Sequence, residues 1–81
     1  MEKVELTLGE RRVRTTFNPG NNDKVQNFKE RFAHLINDVE DIRKTATSED
    51  PNVNQDIQRL CSMAQTDLEK ACMITVKALT A

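Results

Sequence analysis

Apolar side chains recur at Val25, Phe28, Phe32, Leu35, Val39 and Ile42, three and four residues apart, and Ile36 widens the stripe. This spacing predicts an amphipathic helix that starts after Asn22 and ends near Lys44. Asn21 or Asn22 stands where a cap is needed, Asp23 falls in the first turn, and Arg43 and Lys44 lie where cations suit the helix dipole. The opposite face carries Lys24, Glu30, Arg31, Asp38 and Asp41, and His34 reads as a solvated helix residue. Residues 45–50 break the pattern, and Asp50 followed by Pro51 supplies a cap and a first helical position. A second stripe follows through Ile57, Leu60, Cys61, Ala64, Leu68, Ala71, Cys72, Thr75 and Leu79. At about 1.5 Å per residue each helix would be roughly 35 to 40 Å long. A short link between them makes an antiparallel hairpin.

The start of the chain reads differently. Lys3, Val4, Glu5, Leu6, Thr7 and Leu8 alternate in character, as a strand does, and Gly9-Glu10 could turn the chain into a second extended run from Arg12 to Phe17. Two strands alone are weak in water, so residues 1–20 are expected as an extended arm, or a short hairpin, lying against something else. The predicted fold is all-α: one domain, with arm and turn over residues 1–20 and a two-helix hairpin over 21–81. Residues 71–76, Ala-Cys-Met-Ile-Thr-Val, are nearly apolar around the whole helix, which implies burial on all sides. The arm could cover part of that surface. Two helices cover only one side of each other, however, and the small residues Ala64, Ala71 and Cys72 permit close approach. A homo-oligomer is the expectation.

Composition narrows the function. A chain of 81 residues buries too little apolar surface to be more than marginally stable alone. Twelve basic against thirteen acidic residues, a net charge of −1, argue against a DNA-binding protein or an anionic-membrane binder. The start of the chain lacks the apolar core of a signal peptide, and no apolar run approaches spanning length, so an intracellular, soluble protein is expected. Cys61 and Cys72, eleven residues apart on one helix, would be separated by roughly 16 Å and cannot bridge within it. With one histidine and no C-x-x-C pair, no metal site or cofactor is expected. The sequence has no nucleophile elbow, phosphate-binding loop, dinucleotide fingerprint or zinc-protease motif. Adjacent helix positions diverge, so Glu40 and Asp41 are not a paired carboxylate site. The chain reads as a binder, not an enzyme.

The binding groups concentrate in residues 10–20. Arg11, Arg12 and Arg14 precede Phe17, and Asn18, Pro19 and Gly20 form a turn. Guanidinium groups beside a flat ring suit a ligand that bears both phosphate and base. The plain alternative is that Phe17 staples the following helix and the arginines are solvated. Lys29 sits at the edge of the first stripe, where it can snorkel toward the base of the arm. Lys77 follows the all-round apolar patch, and Arg59 lies earlier on the same helix; each could equally be a solvated flank residue.

Arg12-Val13 followed by Phe17-Asn18-Pro19 and then Phe28-Lys29 resembles an "RV…FNPSGN…IK" opening. Leu68-Glu69, Ala71, Met73 and Val76-Lys77-Ala78-Leu79-Thr80 resemble an "EA-x-MWAVKA-x-T" ending. In this order and spacing they resemble the phage-encoded helical-hairpin sponges that oppose bacterial CBASS and Thoeris immunity. Asn21 follows Gly20 where the family has a serine-glycine pair, and Ile74-Thr75 replaces Trp-Ala. The resemblance implies a compact homohexamer in the cytoplasm of an infected bacterial host. It implies binding, without cleavage, of cyclic dinucleotides such as 3',3'-cGAMP and of cyclic trinucleotides, with cyclic ADP-ribose derivatives taken by some relatives. Sequestration of the signal then keeps the host's effector inactive. Phe17 matches the base-stacking aromatic and Lys29 the phosphate-contacting lysine; Asn18, Pro19, Arg12, Arg14, Arg59 and Lys77 complete the expected ligand-binding set. The rival reading is a protein-binding module that presents an apolar patch to a host protein.

Overall fold

The computed structural model describes residues 5–81 and contains three helices: α1, Leu8–Val13; α2, Asp23–Thr45; and α3, Pro51–Leu79. The caps of the hairpin follow from local chemistry. The Asn22 side chain accepts hydrogen bonds from the backbone N–H groups of Lys24 and Val25, and Asp50 accepts from Asn52 with Pro51 opening α3. Asn54 then ties the link down, accepting from Ser48 N–H at 2.7 Å and donating to Ser48 O at 2.8 Å.

The arm departs from expectation. Residues 8–13 are helical, and there is no strand among the described residues; residues 3 and 4 of the alternating segment lie outside them. Thr7 caps α1 reciprocally with Glu10: the Thr7 hydroxyl accepts from Glu10 N–H at 3.2 Å and the Glu10 carboxylate from Thr7 N–H at 2.9 Å. The Thr7 backbone N–H first, and the Thr7 hydroxyl second, hold the Glu10 carboxyl below its usual range. Gly9-Glu10 is therefore not a turn but the first part of a helix laid across α2. A Cβ on Gly9 would fall 2.0 Å from the carbonyl oxygen of Ala33, so the two backbones meet at a distance only glycine permits. Asn37 latches the crossing, accepting from Gly9 N–H at 2.8 Å and donating to the Thr7 hydroxyl at 3.1 Å.

The core is correspondingly displaced. Its centre is Ile36, fully buried, with Ala33 and Val13 from the α1–α2 crossing and Cys72 from α3, flanked by Leu8, Phe32, Leu68 and Val76. Leu35 and Ile42, members of the predicted stripe, remain about half exposed, as does Leu60. The reason is that α2 is covered from two directions, by α1 and by α3, so its buried face is centred between them. Val53, Leu60, Met63, Met73 and Ile74 are all exposed on α3. Val53, Leu60 and Ile74 share a heptad position, and the molecule is only 13 Å thick along its shortest axis.

One polar network crosses the hairpin interior. Gln65, 2 % exposed, donates to Ile36 O at 3.2 Å and to Glu40 at 3.1 Å, while Arg43 holds the same carboxylate. The Arg43 bond first, and Gln65 second, lower the Glu40 pKa to about 2. An unfolded glutamate titrates at about 4.3. Because the folded value is depressed, this contribution is complete above about pH 4.3 and fades as pH falls toward the folded value. Thermal midpoints measured from pH 6 to pH 2 should drop for the parent over that interval, and Glu40→Gln should flatten the drop while lowering stability at neutral pH. An unchanged profile in the variant would exclude Glu40 as the group responsible.

Candidate functional site

The chain between α1 and α2 is shaped by backbone chemistry. Arg14 ends α1 in the left-handed region, with φ 56°, and its N–H donates to Glu10 O. Phe17 N–H then donates to Arg14 O at 2.9 Å, closing a turn over residues 14–17. Asn18 is occupied by its own loop: its side chain accepts from Asn22 N–H at 3.1 Å and donates to Asn22 O at 2.9 Å. Asn21, with φ 47°, takes the second left-handed position, which asparagine tolerates better than most residues. The result lifts the Phe17 ring out of the protein, 57 % exposed, at the start of α2.

Facing that turn is the C-terminal end of α3. Between them lies a groove of about 460 Å³ whose walls include Arg12, Arg14, Phe17 and Lys29 on one side and Glu69, Met73, Val76, Lys77 and Thr80 on the other, with Val13 and Cys72 also lining it. A second hollow of about 400 Å³, which also involves Phe17, Lys29, Val76 and Thr80, extends over Asn18, Pro19 and Gly20. The fold thus brings seven of the eight expected residues to one end of the hairpin. Arg59 is not among them. It pairs with Asp56 at 3.5 Å and contacts the Met63 sulfur, and the eighteen residues to Lys77 place it roughly 27 Å away along α3.

Four cations and one carboxylate set the electrostatics of the groove. The Arg14 guanidinium lies 5.1 Å and the Lys29 ammonium 5.6 Å from the Phe17 ring centre, both within cation–π range. Glu69 approaches Arg12 to 3.9 Å, joining α1 to α3 across the groove with both side chains more than a third exposed. Such a pair is weak and its arginine available to a stronger anion. Cys72, 2 % exposed, lies among the groove-lining residues, and burial pushes its thiol up. Both cysteines are free, and no cluster of metal-ligating residues occurs among the described residues.

Lys29 places its ammonium near the base of the arm, where a lysine snorkelling from the edge of the stripe would put it, but it is more deeply covered than such a lysine, at 7 % exposed. Helix α1 and its turn close over it, and its ammonium donates to Arg14 O at 3.1 Å and to Phe17 O. Sequence reasoning also missed Glu69 as a member of the groove. Its signals were its place in the motif that ends the chain and its position eight residues before Lys77, about two helical turns away.

No helix is long and apolar enough to cross a membrane among the described residues. Comparison with curated proteins and with solved structures finds no match. Residues 10–80, which include all three helices except the first two residues of α1, match the family described as Acb2/Tad1, hairpin domain. With an exposed aromatic and a cationic groove set on such a hairpin, the chain belongs to the Acb2/Tad1 family of phage anti-CBASS and anti-Thoeris cyclic nucleotide sponges.

Proposed function

We propose that this chain sequesters cyclic dinucleotide second messengers, 3',3'-cGAMP among them, without cleaving them, and so keeps a CBASS-type effector inactive in the cytoplasm of an infected bacterial host. The observation that carries the reading is the convergence of an exposed Phe17 ring with Arg12, Arg14, Lys29 and Lys77 around one groove. A cyclic dinucleotide offers two phosphates and two bases to such a surface. Stacking contributes about 1 to 3 kcal/mol per base, and charge-assisted hydrogen bonds about 1.5 to 3 kcal/mol each. A few of each reach nanomolar affinity, about −12 kcal/mol, provided that the groove is already formed before the ligand arrives.

Self-association would supply that rigidity. The exposed Leu60, Met63, Met73 and Ile74 support a homohexamer in which neighbouring copies cover α3. Met73 is both a groove residue and an exposed apolar one, so a neighbour seated on α3 would also border the ligand. The same apolar residues are what the rival reading, a module that docks on a host protein, would use. Cyclic trinucleotides and cyclic ADP-ribose derivatives extend the ligand class on the strength of family membership, with Thoeris-type effectors as a further target.

The test is direct. The protein is incubated with a panel of cyclic nucleotides, heat-denatured, and the released material is analysed. Intact ligand is expected; linear product dependent on the protein would indicate a nuclease instead. Phe17→Ala should keep its fold and weaken cyclic dinucleotide binding tenfold or more, since it deletes roughly 1.4 kcal/mol or more of stacking. Lys24→Ala, on the solvated face of α2, should bind as the parent does. Unchanged affinity in a folded Phe17→Ala protein would place the ligand elsewhere and leave Phe17 as a surface residue beside α2.

A further inference from the structure

We propose that the α1–α2 crossing holds a second site, a groove that binds the phosphate chain of a small polyphosphate anion, free or carried as the tail of a nucleotide. The groove encloses about 560 Å³ and is walled by Arg11 and Arg12 of α1 and by Asp41, Arg43 and Lys44 of α2. With the groove beside Phe17 it shares only Arg12.

Each pair of cations has a local reason to be where it is. Arg11 and Arg12 fall in the last turn of α1, and Arg43 and Lys44 in the last turn of α2, where each pair complements the dipole of its own helix. Neither helix needs the other's pair. The crossing, latched by Asn37 to Gly9 and Thr7, sets both pairs on the walls of one groove. The charge there is unbalanced. Arg43 is neutralised by Glu40, which it grips through two bonds. Arg12 has only the weak contact to Glu69 at 3.9 Å. Arg11 and Lys44 form no ion pair among the described residues. Against these three cations stands the carboxylate of Asp41. Like charges on facing walls repel, and a bound anion removes the repulsion.

The wall chemistry selects the ligand. Guanidinium and ammonium groups only donate, and they meet phosphate oxygens through charge-assisted hydrogen bonds. Cations spread over two helices suit several phosphates in a row better than a single one. No aromatic ring lines the groove, and Leu8 is its one large apolar lining residue, so nothing there stacks on a base. The Asn37 amide and the Thr7 hydroxyl are engaged with each other, and Asn37 also with Gly9. The site reads charge and not base, whereas the groove at Phe17 offers contacts for both.

Inorganic triphosphate and ATP are the probes, titrated at low ionic strength. Both should bind with about equal affinity, because the base makes no contact. Arg11→Ala and Lys44→Ala, at exposed positions, should keep their helical content and each weaken triphosphate binding about fivefold or more. Asp41→Asn should tighten it. Lys24→Ala removes the same charge roughly 30 Å away along α2, and Lys77→Ala removes it beside Phe17; both should bind triphosphate as the parent does. In a titration followed by NMR, the backbone signals of Arg11, Arg12, Arg43 and Lys44 should move more than those of Phe17 and Lys77. Equal losses in Lys24→Ala and Lys44→Ala would reduce the site to diffuse net charge. Losses or NMR shifts that follow Lys77 in place of Lys44 would put the anion beside Phe17. Either result overturns the proposal, as would no binding of triphosphate or much tighter binding of ATP. One consequence rests on the cyclic-nucleotide reading. Because Arg12 borders both grooves, saturating triphosphate should weaken 3',3'-cGAMP binding about threefold or more in the parent and not in Lys44→Ala. No effect in the parent, or a persistent one in Lys44→Ala, would overturn the shared site. A parent that does not bind 3',3'-cGAMP at all removes the sponge reading, and the triphosphate measurements still decide this one.

Discussion

Gly9→Ala should unfold roughly 10 °C or more below the parent and lose most of its groove. Helix propensity alone gives the opposite sign, because alanine is better than glycine in a helix by about 1 kcal/mol. The contact decides. The added carbon would meet Ala33 O at 2.0 Å, with the Ala33 carbonyl carbon at 2.6 Å and its Cα at 2.8 Å. All three are backbone atoms in the middle of α2 and have no rotamer in which to withdraw. Helix α1 must retreat instead, which breaks the Gly9 N–H bond to Asn37 and opens the core at Val13. Overpacking of this kind costs about 1 to 3 kcal/mol and occasionally more, and each kcal/mol moves the midpoint of a domain this size by about 4 to 8 °C. Binding should suffer too, since Arg12, Arg14 and Phe17 all hang from α1. A thermal scan settles the matter: a midpoint equal to or above the parent's would mean that α1 does not lie against Ala33 in solution.

Ile74→Asp should separate folding from assembly. Ile74 and Met73 are each 67 % exposed, the most exposed of the large apolar side chains. A carboxylate there meets only water in a single chain, so helical content should be retained. In the proposed homohexamer the same carboxylate would be buried against a neighbour without a partner, at a cost of several kcal/mol per copy. At about 1.4 kcal/mol per factor of ten, that weakens each contact a hundredfold or more. Light scattering at micromolar concentration should show an oligomer for the parent and a smaller species for the variant. A parent that runs as a monomer would remove the assembly from the functional reading. A variant that keeps the parent's mass would move the interface away from this face of α3.

Much of the hairpin was legible in the residue order because its signals are local. The three-and-four spacing from Val25 to Ile42, the Asn22 cap, the break at residues 45–50 and the Asp50-Pro51 start each act within a turn or two of helix. The observed bounds, Asp23–Thr45 and Pro51–Leu79, follow them closely. Helix α1 was also signalled, by Thr7 and Glu10 at capping-box spacing. Six residues are too few to display a helical period, however, and the alternation before them reads as a strand. A helix that short does not persist on its own; it exists here because α2 receives it.

The candidate site shows the same division. Residue types alone pointed to Phe17 and its neighbouring arginines as a pairing of ring and charge. No periodicity connects residues 12–17 with residues 69–80, more than fifty positions later. Arg59 and Lys77 are equivalent as sequence, two cations on one helix, and only the direction of the hairpin puts Lys77 in the groove and leaves Arg59 far from it. Lys29 reads as a lysine snorkelling from the stripe edge toward the arm, and only the closing of α1 over it makes it buried. Hydrophobic period, caps and breakers depend on residues within one or two helical turns, so the order of residues determines the two long helices and their ends. Burial, by contrast, depends on which surfaces meet. The crossing of α1 over Ala33 turns the buried face of α2, covers Lys29, lifts Phe17 and leaves one face of α3 open, and these outcomes exist only in the folded chain.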